Sequence, residues 1–250
     1  MIKKKILFIF ILIFILEITA VIVKNPIFPR VSSLGNHIFN TLSIEWLRQF
    51  LFPSLQTLTA GYIIGTTFGL IIAILISEFE IVETSLLPII NFLRNIPSVA
   101  KIPILISIFG IEQKARISSI AVAVFFVMFL PTYYQLKETK SQYLEFQHIY
   151  KLNRLKSIVD LKLPLAISGV ITGLRASIQI SLIIMVVSEM LGSPIGLGAF
   201  LVHAQNLFDV YNLWMAIIIL GLLGLLLNLL FDTSINRFFP WYIRNQGPNK

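Results

Sequence analysis

The chain has 250 residues, of which 56% are hydrophobic and only 13% are charged, and its mean hydropathy is +0.86. Soluble domains carry about twice that share of charge because their exteriors face water, so the composition indicates a membrane protein. The net charge of +8 does not indicate nucleic-acid binding, since the basic residues lie between apolar runs, and the absence of cysteine excludes disulfides and thiolate metal sites.

The first two apolar segments cover residues 6–23 and about 55–77. The first follows three lysines and is longer than the roughly 7–15 residues of a signal-peptide core, and no clear small-x-small cleavage site follows it. We therefore predict an uncleaved transmembrane helix rather than a signal peptide. Residues 24–48 have the character of an outer loop. The second segment is rich in glycine and threonine, small residues that allow helices to pack closely in lipid.

The third segment, residues 86–111, is the least regular, because two cations and two prolines interrupt it. These are Arg94, Lys101, Pro97 and Pro103. We predict an interfacial piece up to about Arg94, then a shorter crossing helix that ends near Gly110.

Three further apolar segments, residues 117–136, 165–190 and 213–231, are each long enough to cross a hydrocarbon core of about 30 Å. The predicted fold is all-α, a polytopic membrane protein with about six transmembrane helices in a single domain spanning residues 1–250. With the N-terminus inside, the inner segments hold twelve cations and the outer segments five. Positive charge favours the cytoplasmic side, which predicts that both termini are cytoplasmic.

The fourth and fifth spans are separated by residues 137–162, which we predict to be a structured cytoplasmic loop. Leu152, Leu155 and Val159 recur at positions i, i+3 and i+7, so a short helix there presents an apolar face. Periodicity leaves two interpretations open. The segment lies on anionic lipid headgroups, or it docks into a groove of a soluble ATPase.

A sequence pattern in this segment favours the ATPase. The run Glu145, Phe146, Gln147, followed after the same spacing by residues 161–164, resembles the coupling motif of permease subunits of binding-protein-dependent ABC importers. In that family the motif reads Glu-Ala-Ala, three residues, Gly, nine residues, Ile-x-Leu-Pro. Here Phe146 and Gln147 replace the alanines, and Lys151 replaces a glycine that permits a positive φ. The resemblance assigns ATPase coupling to one set of residues: Glu145, Phe146, Gln147, Lys151, Leu152, Leu155, Val159 and Pro164.

Further runs resemble the nitrate/sulfonate/taurine branch of these permeases. Residues 168–175, 187–191 and 196–198 are similar to its fifth-helix region, and residues 93–103 with 109–111 to its third span, so the family-like core covers about residues 55–241. The resemblance implies an importer of a small anionic solute in the bacterial inner membrane. Its implied partners are an ATP-binding subunit, an extracytoplasmic solute-binding protein and a second copy of this chain. Sulfonates, taurine, nitrate and thiamine-related pyrimidines all remain open as solutes.

Three ionisable or polar residues of the fifth segment form the candidate translocation pathway. Arg175, Gln179 and Glu189 are spaced by steps that place them on one helical face. One interpretation is a pathway wall that offers donors to an anion, with Glu189 near an outer gate. The other is an interhelical hydrogen-bond seam, with Arg175 balanced by a carboxylate or extended to the headgroups.

Missing motifs narrow the function further. No Gly-x-x-x-x-Gly-Lys-Ser/Thr loop is present, so ATP is expected to bind to the partner and not to this chain. His37, His148 and His203 are widely separated, which argues against a metal site and a membrane protease. The rival functions are a passive channel or secondary transporter, for which inverted repeats are expected, and a structural subunit without transport.

Overall fold

The computed structural model describes residues 2–23, 25–149, 153 and 156–245, and of residues 2–6, 9–10, 12, 139–149 and 243–245 it describes the backbone alone. We number the helices in chain order. They are α1 Ile2–Val23, α2 Val31–Thr41, α3 Ile44–Glu78, α4 Glu80–Asn95, α5 Ile102–Phe109, α6 Gln113–Ile149, α7 Ile167–Met190, α8 Leu197–Asn206, α9 Val210–Phe238 and α10 Pro240–Asn245. No strand occurs in these ranges, which confirms the all-α prediction.

Helices α3 and α6 form the centre of the molecule and are joined by a glycine seam. A Cβ atom placed on any of three α3 glycines would lie within 3.0 Å of α6 atoms, so only glycine permits this approach. The seam pairs Gly61 with Ile120, Gly65 with Val124 and Gly69 with Met128. Residue numbers rise together on both sides, so α3 and α6 run parallel. The predicted role of the small residues in close packing is confirmed.

Helix α7 packs on the same part of α6 and runs in the opposite direction. Gly169 approaches Pro131, and Gly173 approaches Met128, each so closely that a Cβ atom would come within 3.0 Å of its neighbour. A Cβ on Gly224 of α9 would lie 3.3 Å from Leu182 of α7, which places α9 beside α7. The path of the chain therefore alternates between the two ends of the bundle, as a polytopic membrane protein requires.

The chain between α3 and α6 returns through a sharply bent pair of helices. Helix α4 ends at Asn95, a 3₁₀ turn occupies Ser98–Lys101, and α5 then leads to Phe109, with an angle of 98° between the two arms. Gly110 follows with φ of +75°, which ends α5. The predicted interruption is confirmed, and it falls at Ile96 and Pro97 because proline removes a backbone donor and restricts the preceding residue.

Four described helices, or parts of helices, are long and apolar enough to cross a membrane: Ile44–Glu78, Gln113–Glu138, Ile167–Met190 and Val210–Phe238. The bent pair makes a fifth if it is counted as one span. The apolar part of α1 whose side chains are described, Ile13–Val23, is shorter. A sixth crossing by α1 stays a prediction.

One predicted loop was wrong, and two predicted spans belong to helices that continue beyond them. Residues 24–48 are not simply a loop, because α2 and the first turns of α3 lie there, with a π-helical turn at Leu47–Leu51. The fourth helix does not end at residue 136 but continues to Ile149, and the sixth continues past residue 231 to Phe238. In these two helices the hydrophobic run ends before the helix does, because the backbone hydrogen bonds continue into polar sequence.

Candidate functional site

A buried ion pair joins the end of α3 to the end of the segment predicted to couple to an ATPase. Glu78 is the last residue of α3, and Lys162 ends a π-helical turn, Ser157–Lys162. The Lys162 Nζ atom lies 2.5 Å from the Glu78 Oε1 atom, and the two side chains are 6% and 7% exposed. Because neither charge has access to bulk water, each depends on the other for compensation.

A second ion pair holds the start of the same segment. The Lys137 ammonium contacts the Glu83 carboxylate in the first turn of α4, and the Tyr133 hydroxyl donates to that carboxylate at 2.7 Å. Lys137 is about half exposed, so this pair is more solvated than the first. We call Glu78, Glu83, Lys137 and Lys162 the α3–α4 clamp. Its two carboxylates lie on either side of the junction between α3 and α4 and hold both ends of residues 137–162.

The predicted coupling residues fall into three groups within this segment. Glu145, Phe146 and Gln147 lie in the last turns of α6. Val159 is 60% exposed in the π-helical turn, and Pro164 lies in the short helix Leu163–Leu165 that leads towards α7. Lys151, Leu152 and Leu155 lie outside the described residues, so the predicted apolar face stays a prediction apart from the exposure of Val159.

Arg175 lies within α7 and forms an ion pair with a carboxylate of the neighbouring span. Its Nη2 atom is 2.7 Å from the Asp232 Oδ1 atom of α9, and its guanidinium carbon is 5.4 Å from the centre of the Phe231 ring. Both side chains of the pair are about half exposed at the surface of the chain. Asp232 is the carboxylate partner expected if the polar residues of α7 form an interhelical hydrogen-bond seam. The exposure of the pair nevertheless leaves the Arg175 guanidinium accessible from outside the bundle.

The three polar residues predicted to share one face of α7 differ in exposure. Gln179 is exposed beside Arg175, whereas Glu189 is 2% exposed and faces the interior. Glu189 therefore does not share the exposure of Arg175 and Gln179, and its place in a pathway stays a prediction. Fourteen residues make nearly four turns at 3.6 residues per turn, so Glu189 stays close to the direction of Arg175, and it is buried because α3 and α8 cover that end of α7.

Glu189 is the centre of a buried hydrogen-bond cluster at the other end of α7. Its carboxylate oxygens are both 2.8 Å from the Ser54 hydroxyl of α3, and the Gly198 amide donates to Oε2 at 2.9 Å. The Leu197 amide in turn donates to the Ser54 hydroxyl at 2.8 Å. These amides belong to the first turn of α8, where unpaired N–H groups favour an anion. Buried Arg116 of α6 adds electrostatic attraction.

Two glycines make room for this carboxylate. A Cβ atom on Gly196, whose φ is +107°, would lie 2.5 Å from the Glu189 carboxyl carbon. A Cβ on Gly198 would lie 2.4 Å from the Val186 carbonyl oxygen. The glycines after the fifth span are therefore required by close approach as well as by turn geometry, and they fix the start of α8 against the end of α7.

Sequence reasoning missed two of these residues and one pairing. Asp232 lies one residue beyond the predicted end of the sixth segment, and Ser54 one residue before the predicted start of the second. A lone carboxylate in one apolar helix and a lone arginine in another were a usable signal for the Arg175–Asp232 pair. The acidic turn that contains Glu78 was visible in the sequence, but nothing local identified its lysine partner 84 residues later.

Comparison with known proteins gives a family that fits this geometry. The family model described as "Binding-protein-dependent transport system inner membrane component" matches residues 65–244. That range includes the bent pair, the end of α6, α7 and α8, and it ends after α9.

Curated relatives agree with the family model. A probable ABC transporter permease protein of Haemophilus influenzae is 28% identical over 237 residues, which are 94% of this chain and 96% of the relative. The nitrate import permease protein NrtB of Leptolyngbya laminosa is 31% identical over 75% of this chain and 67% of its own length. The putative aliphatic sulfonates transport permease protein SsuC of Bacillus subtilis is 26% identical over 86% and 74%.

These matches cover most of the chain, and they agree with the nitrate/sulfonate resemblance read from its motifs. Such permeases are multi-pass membrane proteins that work with a separate ATPase and a solute-binding protein, and the ATPase hydrolyses the nucleotide. The chain belongs to the family of binding-protein-dependent transport system inner membrane components, as the non-catalytic permease subunit of an ATP-driven ABC importer.

Proposed function

We propose that this permease imports a small anionic solute of the nitrate, taurine or sulfonate type, as a single permease domain working in two copies. ATP binds to the partner subunit, residues 137–162 receive its movement, and both termini are cytoplasmic. One observation carries the proposal: Arg175 presents a half-exposed guanidinium on the outward face of a membrane-spanning helix. A lipid-facing surface disfavours such a charge, whereas an aqueous pathway accommodates it.

The chemistry of this face suits an anion. The Arg175 guanidinium offers several N–H donors in one plane, and exposed Gln179 adds an amide donor one turn away. Asp232 neutralises Arg175 when no solute is bound and leaves part of the guanidinium uncovered. Relatives that import nitrate and sulfonates by name support an anion of this class.

The paired variants Arg175→Gln and Asp232→Asn test the anion proposal. Uptake of labelled nitrate and taurine is measured in vesicles that contain the permease, its ATPase and its binding protein. Arg175→Gln is expected to reduce uptake at least tenfold with assembly intact, while Asp232→Asn retains uptake because the cation remains. Equal losses in both variants, together with lower thermal stability, would mean that the pair only holds α7 against α9.

The α3–α4 clamp supports the coupling role of residues 137–162. Because Glu78 and Glu83 hold both ends of the segment, a displacement of the segment is passed to α3 and α4 rather than absorbed in a free loop. Val159 is an exposed apolar side chain in that segment and is available to a partner. The resemblance adds Glu145 as the residue that engages the ATPase.

The variant Val159→Asp tests docking, with Val159→Leu as the matched apolar control. The charge should release the ATPase from membranes, because an aspartate buried in an apolar groove lacks a partner. Val159→Leu should retain full stoichiometry. Retention of the ATPase by Val159→Asp would reject Val159 as a docking residue.

The polar outward face of α7 supports the proposal that two copies of the chain assemble. Thr172, Arg175 and Gln179 are exposed on that face, and a second copy would cover them or share an aqueous pathway with them. Because the chain has no cysteine, Gln179→Cys carries a unique thiol. Oxidative cross-linking of this variant should yield a dimer, whereas Leu226→Cys on the exposed apolar face of α9 should stay monomeric.

The same absence of cysteine allows the orientation to be tested. His148→Cys marks the end of α6, and Leu207→Cys marks the exposed turn between α8 and α9. An impermeant thiol reagent should label Leu207→Cys on intact cells and His148→Cys only in inverted vesicles. The reverse pattern would reject cytoplasmic termini and the coupling role of residues 137–162.

A further inference from the structure

Lys101 is a cation of the bent pair that has no polar partner in the described part of the chain. It is the last residue of the 3₁₀ turn between α4 and α5. Its Nζ atom is buried, forms no hydrogen bond and belongs to none of the ion pairs there. The ammonium instead contacts the face of the Phe126 ring, whose centre lies 4.4 Å away.

The lysine lies level with the middle of the apolar part of α6. Phe126 is the fourteenth of the 26 residues in the apolar part of α6, Gln113–Glu138. Arg175 lies at the same depth, because Gly173 of antiparallel α7 packs against Met128. Phe126 precedes Met128 by two residues, and Arg175 follows Gly173 by two residues. Because the two helices run in opposite directions, both steps lead towards the same end of the bundle. Two cations of this chain therefore occupy one level of the bundle.

An isolated ammonium at this depth is unfavourable, and a ring contact compensates only part of its lost hydration. Buried polar groups in native proteins nearly always have a partner, so an orphan donor indicates a partner outside the chain. The Lys101 ammonium therefore indicates that an acceptor from outside the chain binds at the bend.

The backbone at the bend leads to the same conclusion. Irregular backbone at membrane depth is tolerated only where protein covers it or where it lines a water-filled cavity. Val99 in the turn is 44% exposed, and Pro97 is exposed, so this chain alone leaves the bend uncovered on one side. Helices broken near the bilayer midplane form solute sites in other transporters.

We propose that Lys101 is an anion-binding residue of the translocation pathway, where its ammonium takes a small oxyanion such as a nitrate or a sulfonate. In the conformation described here the nitrogen is covered by Phe126, and alternating access exposes it to the solute. Arg175 supplies the second positive charge at that depth. The inference rests on the proposed import of an anion and adds to it the residue that binds the solute.

A unique thiol at this position tests whether solute-sized anions reach it. Lys101→Cys, assembled with its ATPase, is treated with 2-sulfonatoethyl methanethiosulfonate, a small sulfonate. We expect modification, with a rate that differs at least tenfold between the nucleotide-free and vanadate-trapped complexes. The buried variant Val124→Cys, near the same depth of α6, should not react, and Leu207→Cys should react in both states. No reaction of Lys101→Cys in either state, with Leu207→Cys reactive, would overturn the inference.

Transport kinetics give the second readout. Lys101→Met should raise KM for nitrate or taurine uptake at least tenfold with basal ATP hydrolysis unchanged, and Lys101→Arg should restore KM to within about threefold. Unchanged KM in Lys101→Met would assign the lysine a structural role and reject the inference. If the unmodified complex transports neither anion, the proposed solute class fails, and the labelling of Lys101→Cys still decides whether the site is accessible. If Lys101→Met does not assemble, the labelling rates of Lys101→Cys alone support or overturn the inference.

Discussion

The two ends of the bundle each bury a glutamate, and they compensate its charge in different ways. At the α3–α4 clamp, Glu78 is paired with one cation, Lys162, at 2.5 Å. At the other end, Glu189 is held by the Ser54 hydroxyl and the Gly198 amide, with Arg116 farther away. The charge of Glu78 is compensated by a single contact, whereas that of Glu189 is compensated by three chain segments.

The difference matches what each end is proposed to do. A single ion pair between helix ends fixes one point and leaves the elements around it free to rotate about it. A carboxylate held by a hydroxyl of α3 and by an amide in the first turn of α8 fixes orientation as well, because its donors come from two different directions. We therefore expect the clamp to pass on movement and the Glu189 cluster to resist it. Three predictions test this contrast.

The largest effect is expected from removing the cation of the clamp. Lys162→Met leaves Glu78 buried without a partner, which costs about 3–5 kcal/mol in comparable buried pairs. The double variant Glu78→Leu with Lys162→Met should recover most of this loss, since no charge is then left unpaired. The measurement is unfolding in mixed SDS micelles, analysed as a double-mutant cycle. A double variant as unstable as the single one would show that the pair contributes through packing rather than charge.

A smaller effect is expected at the Glu189 cluster. Gly196→Ala places a methyl group against the carboxylate and forces a side chain into a conformation nearly restricted to glycine, at a cost of about 1–3 kcal/mol. Gly221→Ala in α9 is the matched control, because nothing lies within 4 Å of its added Cβ atom. The control should be neutral or slightly stabilising in the same unfolding assay. Equal destabilisation of both variants would contradict the close fit around Glu189.

The smallest effect is expected from the exposed half of the clamp. Lys137→Met removes a partly solvated pair with Glu83, and such pairs contribute about 0.2–1 kcal/mol. The loss should shrink further in 1 M salt, because salt screens exposed charges, while the loss in Lys162→Met should not. A loss in Lys137→Met as large as that in Lys162→Met would abolish the distinction between the two halves of the clamp.

Much of the fold was predictable from the sequence, because lipid selects long apolar runs and those runs are easy to find. The glycine seam of α3 and the break at Pro97 were predictable for the same local reason. The helix ends at Ile149 and Phe238 were not, because hydropathy reports the membrane boundary and not the end of the helix. The burial of Glu189 was not predictable either, because it depends on how α3 and α8 pack against the end of α7.

The site residues were harder to predict than the fold. The resemblance identified the coupling segment, but its lysine ends are fixed by carboxylates 54 and 84 residues earlier in the chain. Arg175 was identified because a charge inside an apolar run is conspicuous, and its partner Asp232 was missed because it follows the run. Contacts between distant residues depend on helix packing, which a single sequence does not encode in its local pattern.

The glycine seam between α3 and α6 has a mechanical consequence. Three successive contacts at the level of the backbone leave no layer of side chains that could slide, so the two helices are expected to move as one lever. We therefore do not expect α3 and α6 to twist relative to each other. Changes of shape are then expected where the helical backbone is interrupted, and the 98° bend between α4 and α5 is one such position.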